Sequence, residues 1–329
     1  MTRILVAGDH FVTPELVTEA LHARIGGGLD LHPLTGPWPL VPFGPVAEVD
    51  EASDTEDELI AALPGVQIAI TQMGPFTRRV LAAADALKLI VVCRGGPVNV
   101  NLDAAAERGI EVRSTPGRNA VAAAEHTVAL LLAALRRLPE LHATVLAGQW
   151  RSDLYALDEV GGELAGATVG LIGYGAIGRR VGRILRAFDA EVLVYDPYAD
   201  PSTLDGARVT DLDSLLERSS VVSLHARLTA ETERIIGARE LALLPEGAVV
   251  VNTARGGLLD YEAIADALES GRLGAAAFDV FDAEPLPAAS RIRTAPRVVL
   301  TPHLAGATRQ TAIRAASLAA DAVADYLSR

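Results

Sequence analysis

The run Val169-Gly170-Leu171-Ile172-Gly173-Tyr174-Gly175-Ala176-Ile177-Gly178 constrains this chain more than any other stretch. It sets a G-x-G-x-x-G turn between an apolar strand and a helix that places Ile177, Val181, Ile184, Leu185 and Phe188 along one face. Gly173 permits a tight turn, and Gly175 lets a pyrophosphate come close to the backbone. Gly178 lets the helix pack against the strand, with its free N–H groups aimed at the phosphates. A second apolar run at 192–195 ends in Asp196, eighteen residues past Gly178, where a carboxylate can accept hydrogen bonds from a ribose diol. A glycine-rich turn by itself says little. Strand, turn, helix and acid in this order predict a dinucleotide-binding unit, with Gly173, Tyr174, Gly175, Ala176, Ile177, Gly178 and Asp196 at the cofactor.

The rest of the chain alternates apolar runs of strand length with helical patterns. Strands are predicted at 3–7, 67–71, 89–92 and 110–113, and, in the unit that starts at Thr168, at 221–224, 248–251, 275–278 and 298–301 as well. Thr13-Pro14 reads as an N-cap followed by proline in the first turn of a helix to about Ala23. A long helix is expected over 120–138, with Ala124, Val128, Leu131, Leu132 and Leu135 in one stripe, and an amphipathic helix over 308–327 ends the sequence. Pro33, Pro37, Pro39, Pro42 and Pro45, with Trp38 and Phe43 among them, mark an ordered surface loop, because proline cannot serve in a central strand. Seven of the eleven residues at 48–58 are acidic, which reads as a solvated loop and helix start. Strand–helix alternation throughout predicts an α/β protein with doubly wound parallel sheets, and 329 residues suffice for two domains.

Composition removes several function classes. With 29 Lys+Arg and a formal net charge of −13, the chain has no cheap way to build a basic face, so no nucleic-acid role is expected. Cys93 is the only cysteine, which excludes an intrachain disulfide and a cysteine metal cluster; no metal site is expected. No stretch approaches the roughly 18 uninterrupted apolar residues of a membrane span. The N-terminal apolar run is short and reads as a first strand rather than a signal peptide, so the expected compartment is the cytoplasm.

Polar residues follow the strand ends of the second unit: Asp196, His225, Asn252-Thr253-Ala254-Arg255, Asp279 and His303. Ligands of open parallel sheets bind outside those ends. An ordinary loop polar residue explains any one of them but not the set. Arg255 follows an apolar strand and carries a planar fork suited to a carboxylate. Taken alone, it reads more readily as a surface arginine answering a nearby acid. His303 sits in Thr301-Pro302-His303, and Glu284 follows the preceding strand within reach of it. A carboxylate beside imidazole favours imidazolium, as a proton donor to a carbonyl requires near neutral pH. Arginine, histidine and glutamate beside a dinucleotide site suggest hydride transfer to a 2-keto acid.

Over nearly its whole length the sequence resembles the D-isomer-specific 2-hydroxyacid dehydrogenases. The resemblance lies in Gly173 to Gly178, Asn252-Thr253-Ala254-Arg255-Gly256-Gly257, Phe278-Asp279-Val280-Phe281 through Glu284-Pro285, and Thr301-Pro302-His303. It implies an NAD-binding Rossmann domain (117–302) inserted into a flavodoxin-like substrate domain (1–116 and 303–329), with hinges near Thr115-Pro116 and Pro302. It implies that Arg255 binds the substrate carboxylate and that His303, supported by Glu284, is the acid and base. Asp279 would hold the nicotinamide carboxamide, with His225, Thr253, Ala254 and Gly306 as further cofactor contacts. Arg94, Gly95 and Gly96 would meet the substrate. Their loop stands where phosphoglycerate dehydrogenases carry a longer glycine loop, and its amides can form an anion nest. Gln72-Met73 lacks the arginine-serine pair of those enzymes, while Arg94 leaves room for a second anionic group. Arg227 stands where the family has proline, but Asp196 would repel a 2′-phosphate, so NAD is expected rather than NADP. Glutamate at 284 does not match the glutamine–histidine pairing of formate dehydrogenases. The reading is an NAD-dependent enzyme acting on a small D-2-hydroxy acid and its 2-keto acid, a homodimer through the arm at 138–166. The alternative is an NAD(H)-binding corepressor-like scaffold or redox sensor.

Overall fold

A computed structural model of the chain describes residues 1–38 and 42–329. The chain divides into two compact units, Met1–Asn119 with Ala307–Arg329, and Ala120–Gly306. The joints thus lie at 119/120 and 306/307 rather than at 116/117 and 302/303, and His303 stays with the strands of the second unit.

The first unit runs β1 (Arg3–Gly8), α1 (Pro14–Ile25), β2 (Asp30–Thr35), α2 (Glu56–Ala62), β3 (Ile68–Thr71), α3 (Arg78–Ala83), β4 (Leu89–Val92), α4 (Leu102–Glu107) and β5 (Glu111–Ser114). Its sheet has the order β2-β1-β3-β4-β5 with every pair parallel, the flavodoxin-like doubly wound order. β3 and β4 are buried along their whole length because helices cover both faces. Ile68 and Ile70 enter one core cluster and Ala69 the other, the period-two alternation of a strand.

Strand β2 was not expected. Pro33 lies in it, paired opposite Val6, and proline is tolerated there because β2 is an edge strand whose outer side needs no N–H. Pro37, Pro42 and Pro45 do lie outside regular structure, and Pro39 falls outside the described residues. Part of the acidic run is paired as well as solvated. Glu48 accepts from Asn101 Nδ2 at 2.7 Å, Glu51 pairs with Arg94, and Asp57 pairs with Arg79. Glu56, Asp57 and Glu58 form the first turn of α2, where the helix dipole favours acids.

The second unit runs α5 (Ala120–Leu135), α6 (Leu138–Leu146), β6 (Thr168–Ile172), α7 (Ala176–Arg186), β7 (Glu191–Tyr195), β8 (Arg208–Val209), α8 (Leu212–Arg218), β9 (Val221–Leu224), α9 (Ala238–Leu243), β10 (Ala248–Asn252), α10 (Tyr261–Glu269), β11 (Leu273–Phe278) and β12 (Val298–Leu300). The sheet order is β12-β11-β10-β9-β6-β7-β8, again all parallel. Ala248 and Val250 of β10 face one core, Val249 and Val251 the other. β8 was not foreseen, being two exposed residues with no apolar signal. The helix expected to reach 138 stops at Leu135. Arg137 takes a left-handed φ of 54° and is held by Glu140 and Glu159, each at 2.8 Å, before α6 begins. Phe188, expected on the buried face of α7, lies past its end and is exposed. No helix among the described residues is long and apolar enough to cross a membrane.

The chain ends in α11 (Arg309–Leu327), capped by Thr308 Oγ1, which accepts from the Thr311 N–H at 3.1 Å. Ala312, Ala315, Ala316, Ala319, Ala320 and Val323 recur at the spacing of one helical face and join the first unit's core beside α1. Small side chains there let two helices approach closely. Ala319→Leu should therefore overpack this seam and cost about 1–3 kcal/mol. The exposed neighbour Ser317→Leu should stay within about 0.5 kcal/mol of the parent. Equal thermal midpoints for the two variants would show that the alanine stripe is not a packed interface.

Candidate active site

All strands of the second unit leave the sheet at the same edge, and the turn after β6 is shaped by what lies beside it there. Gly173 has a φ of +95°, and a Cβ on it would stand 2.5 Å from the Ala226 N that follows β9. A Cβ on Gly178 would stand 2.3 Å from Gly173 O, so both glycines are required by the protein's own packing. Gly175 differs: a Cβ there would meet nothing within 4 Å. It is also the N-cap of α7 and supplies no side-chain cap, which leaves the first-turn N–H groups at Ala176, Ile177 and Gly178 for an anion. A pyrophosphate fits this cradle.

Asp196 ends β7 as expected, and it also organises the turn. Its Oδ2 accepts the Tyr174 N–H at 2.7 Å and its Oδ1 the Tyr198 N–H at 2.8 Å. Each oxygen keeps a lone pair for a diol. The Tyr174 ring is buried, with its hydroxyl donating to Leu204 O at 3.0 Å, so Tyr174 shapes the turn from within rather than offering a side chain to a ligand. His225 follows β9 with Nε2 3.0 Å from Ser223 Oγ. Burial lowers its pKa to about 4, so it is a neutral ring at pH 7.

The turn after β10 is fastened by Asn252, whose role the sequence did not disclose. Its side chain is fully buried, donates to Arg255 O at 2.8 Å and accepts the Ala254 N–H at 3.0 Å. Thr253 is buried with its hydroxyl 2.7 Å from that of Thr127 on α5. Arg255 itself is exposed, and its Nη1 donates to Ala254 O at 2.7 Å. Among the described residues no carboxylate lies within ion-pair distance of it, so it does not answer a nearby acid.

His303 and Glu284 meet. The imidazole Nδ1 is 2.7 Å from Glu284 Oε2, and Glu284 Oε1 accepts the Phe281 N–H at 2.9 Å. That hydrogen bond to Glu284 is the main cause that raises the His303 pKa, against the opposing effect of burial. An ionised carboxylate only accepts, so Nδ1 carries the hydrogen and Nε2 is the nitrogen left to exchange a proton. Asp279 is fully buried. It accepts the Thr301 hydroxyl at 2.6 Å and the Leu304 and Ala305 N–H groups at 2.9 and 2.8 Å. Burial pushes its pKa up, but the bonds from His126, Thr301 and the backbone outweigh it and hold the carboxyl below its usual range. Gly306, half-buried, is the last residue of the unit.

Arg94, Gly95 and Gly96 belong to the first unit, in the loop after β4. The Arg94 guanidinium is engaged there by the Glu51 carboxylate, by Glu51 O at 3.2 Å and by Met73 Sδ at 3.4 Å. The expectation of a cation available for a second anionic group meets a pairing that spans 43 residues of sequence. The space beside Gly95 and Gly96 is open. Among the described residues no three His, Cys, Asp or Glu side chains are grouped to hold a metal ion.

Comparison with known proteins gives this geometry a family. Residues 128–305 match the model of the D-isomer specific 2-hydroxyacid dehydrogenase NAD-binding domain. The chain is 38% identical over 270 residues to the D-3-phosphoglycerate dehydrogenase of Mycobacterium tuberculosis, covering 81% of this chain and 50% of that protein. The chain spans about half the length of the phosphoglycerate dehydrogenases it matches. It is 40% identical over 244 residues to the glyoxylate reductase of Thermofilum pendens, covering 73% of this chain and 72% of the other. Among solved structures, the TT0316 protein of Thermus thermophilus superposes with a TM-score of 0.80 at 33% identity, covering 99% of this chain and 97% of the other. The chain therefore belongs to the D-isomer-specific 2-hydroxyacid dehydrogenases, and its second unit is that family's NAD-binding domain.

Proposed function

We propose that the chain is an NAD-dependent oxidoreductase that interconverts a small D-2-hydroxy acid and its 2-keto acid. The observation that carries this reading is the unpaired Arg255 guanidinium in the same unit as the His303–Glu284 pair and the glycine turn. Arg255 takes the substrate carboxylate in a bidentate grip, which also draws electron density from the adjacent carbonyl. The bound cofactor supplies the hydride for reduction and takes it in oxidation. In reduction His303 Nε2 gives its proton to the keto oxygen; in oxidation the neutral ring receives the hydroxyl proton. Glu284 fixes the ring through Nδ1–H and stabilises the imidazolium.

Asp196 receives the ribose diol and would repel a 2′-phosphate, which favours NAD over NADP. The family resemblance assigns Asp279 to the nicotinamide carboxamide; in this fold its carboxyl is fully buried beneath the bonds from Thr301, Leu304 and Ala305. Gly95 and Gly96 of the first unit, with open space beside them, are the residues that the family resemblance assigns to the substrate. Because Glu51 answers Arg94, a keto acid without a second anionic group fits better than a phosphorylated one, in line with the glyoxylate reductase relative. The protein acts as a homodimer. Helix α6 buries none of its residues, and Val145, Leu146, Trp150, Tyr155 and Leu157 leave an exposed apolar stretch that a second copy would cover.

Four outcomes check the proposal. NADH oxidation with a panel of small 2-keto acids should show turnover. Arg255→Lys should cut kcat/KM by about 10- to 150-fold, the loss of one charge-assisted interaction; unchanged kinetics would remove the carboxylate role. Reduction needs the imidazolium, so its rate holds below the His303 pKa and falls above it. The raised pKa carries activity to higher pH. Glu284→Gln should move the falling limb of the pH profile to lower pH, and a limb that stays in place would dissociate Glu284 from the proton donor. Leu146→Glu with Trp150→Glu should convert the dimer to monomer in analytical ultracentrifugation. A dimer unaffected by both charges would place the interface elsewhere.

A further inference from the structure

We infer that His126, on α5, is a positioning residue for the proton donor His303, acting through Thr301 and Asp279. The inference rests on the reading of His303 as the proton donor, and all four residues lie in the second unit.

The hydrogen positions follow from chemistry. Thr301 Oγ1 lies 2.6 Å from Asp279 Oδ1, and an ionised carboxylate can only accept, so the single hydroxyl hydrogen of Thr301 points at Asp279. His126 Nε2 lies 3.1 Å from the same hydroxyl oxygen, which has only lone pairs left to offer. His126 must therefore bring the hydrogen, on Nε2. The same N–H lies 3.5 Å from Asp279 Oδ1, so the ring supports the carboxylate both directly and through Thr301. The result is a directed chain from His126 through Thr301 to Asp279.

At its other end that chain holds the catalytic loop. Three successive amides stop on one residue: the His303 N–H on Asp279 O at 2.8 Å, the Leu304 N–H on Oδ1 at 2.9 Å and the Ala305 N–H on Oδ2 at 2.8 Å. They impose on His303 a φ of 53°, in the left-handed region that a non-glycine residue reaches only when its surroundings over-determine it. That backbone turn presents the imidazole to Glu284. Without the Thr301 and His126 hydrogens, Asp279 Oδ1 keeps only the Leu304 amide. The buried carboxylate can then turn in its socket, releasing the loop that aims the ring. His126 has no hydrogen bond to the His303 ring, and its side chain is 27% exposed.

Five variants test this. Thr301→Val removes the hydroxyl at nearly constant shape, and His126→Leu removes the donor. Each should lower kcat for keto-acid reduction by about 10- to 100-fold, the cost of a misplaced catalytic group. The keto-acid KM should stay close to the parent's, and the thermal midpoint should fall only by the few degrees that the loss of one bond to a buried carboxylate costs. Thr301→Ser and His126→Gln keep a hydroxyl and an amide donor and should recover most of the loss. The Thr301→Val/His126→Leu double variant should be no slower than the worse single, because both act on one chain. Full activity in the single variants, or conservative variants as slow as the drastic ones, would overturn the inference. A readout independent of turnover is nitrogen-edited NMR of the imidazoles. The parent should show hydrogen on His126 Nε2 and a slowly exchanging hydrogen on His303 Nδ1, and the latter should exchange faster in Thr301→Val. An unchanged His303 signal in that variant, or a His126 ring with hydrogen on Nδ1 alone, would refute the relay. Absence of turnover in the parent with the NMR pattern intact would overturn the oxidoreductase reading and leave the relay standing.

Discussion

A parallel sheet delivers all its strand ends to one edge, and the second unit depends on that constraint. Antiparallel neighbours would have sent alternate loops to opposite sides. Here Gly173, Asp196, His225, Asn252 to Arg255, Asp279 and His303 all follow strands that pair in the same sense. Buried backbone groups at such an edge have run out of sheet partners and must find others. Three side chains supply them. Asp196 takes two amides, Asn252 ties together Ala254 and Arg255, and Asp279 takes two amides and a hydroxyl. Asp196 and Asp279 hold the edge together through these bonds, and both are residues proposed to meet the cofactor.

That overlap explains why the most buried acid of the site remains ionised. An isolated carboxylate in the interior would take up a proton, because its desolvation exceeds what a single hydrogen bond returns. Asp279 is held below the usual range by several donors at once, which outweigh its burial. His303 is the converse case. It is partly exposed and close to Arg255, which opposes its charge, yet one carboxylate at 2.7 Å raises its pKa. Two acids in neighbouring loops thus have different tasks: one holds backbone, and the other raises the pKa of an imidazole.

Legibility in the sequence followed the range of the interactions. Strands buried on both faces, such as β4 and β9, announce themselves as unbroken apolar runs, and Asp196, His225, Arg255 and Asp279 are singled out as candidates because each follows such a run. The edge strands β2 and β8 have no such signal. β2 is half-exposed and contains Pro33, and β8 is two exposed residues. The break between α5 and α6 was hidden because Glu159, one of the two acids that hold Arg137 in its left-handed turn, comes 22 residues later. The Arg94–Glu51 pair spans 43 residues, and His126 reaches Thr301 across 175. A local reading can say that an arginine or histidine is present and apt. Only the fold decides whether its charge is already answered, as with Arg94, or left open, as with Arg255.

The same distinction separates the three glycines of the turn. Gly173 and Gly178 would be glycine in this fold whether or not anything bound, since a Cβ on either would drive into backbone. Their presence points to a tight strand–turn–helix and to nothing further. At Gly175 the protein makes no such demand: φ is −72°, open to any residue, and the space is empty. Alanine there would cost the fold little, so an all-protein account leaves this glycine without a cause. A phosphate resting on the first amides of α7 supplies one, because a methyl group would stand in its way. The case for a bound dinucleotide thus comes to rest on the middle glycine, the one that the chain itself does not need.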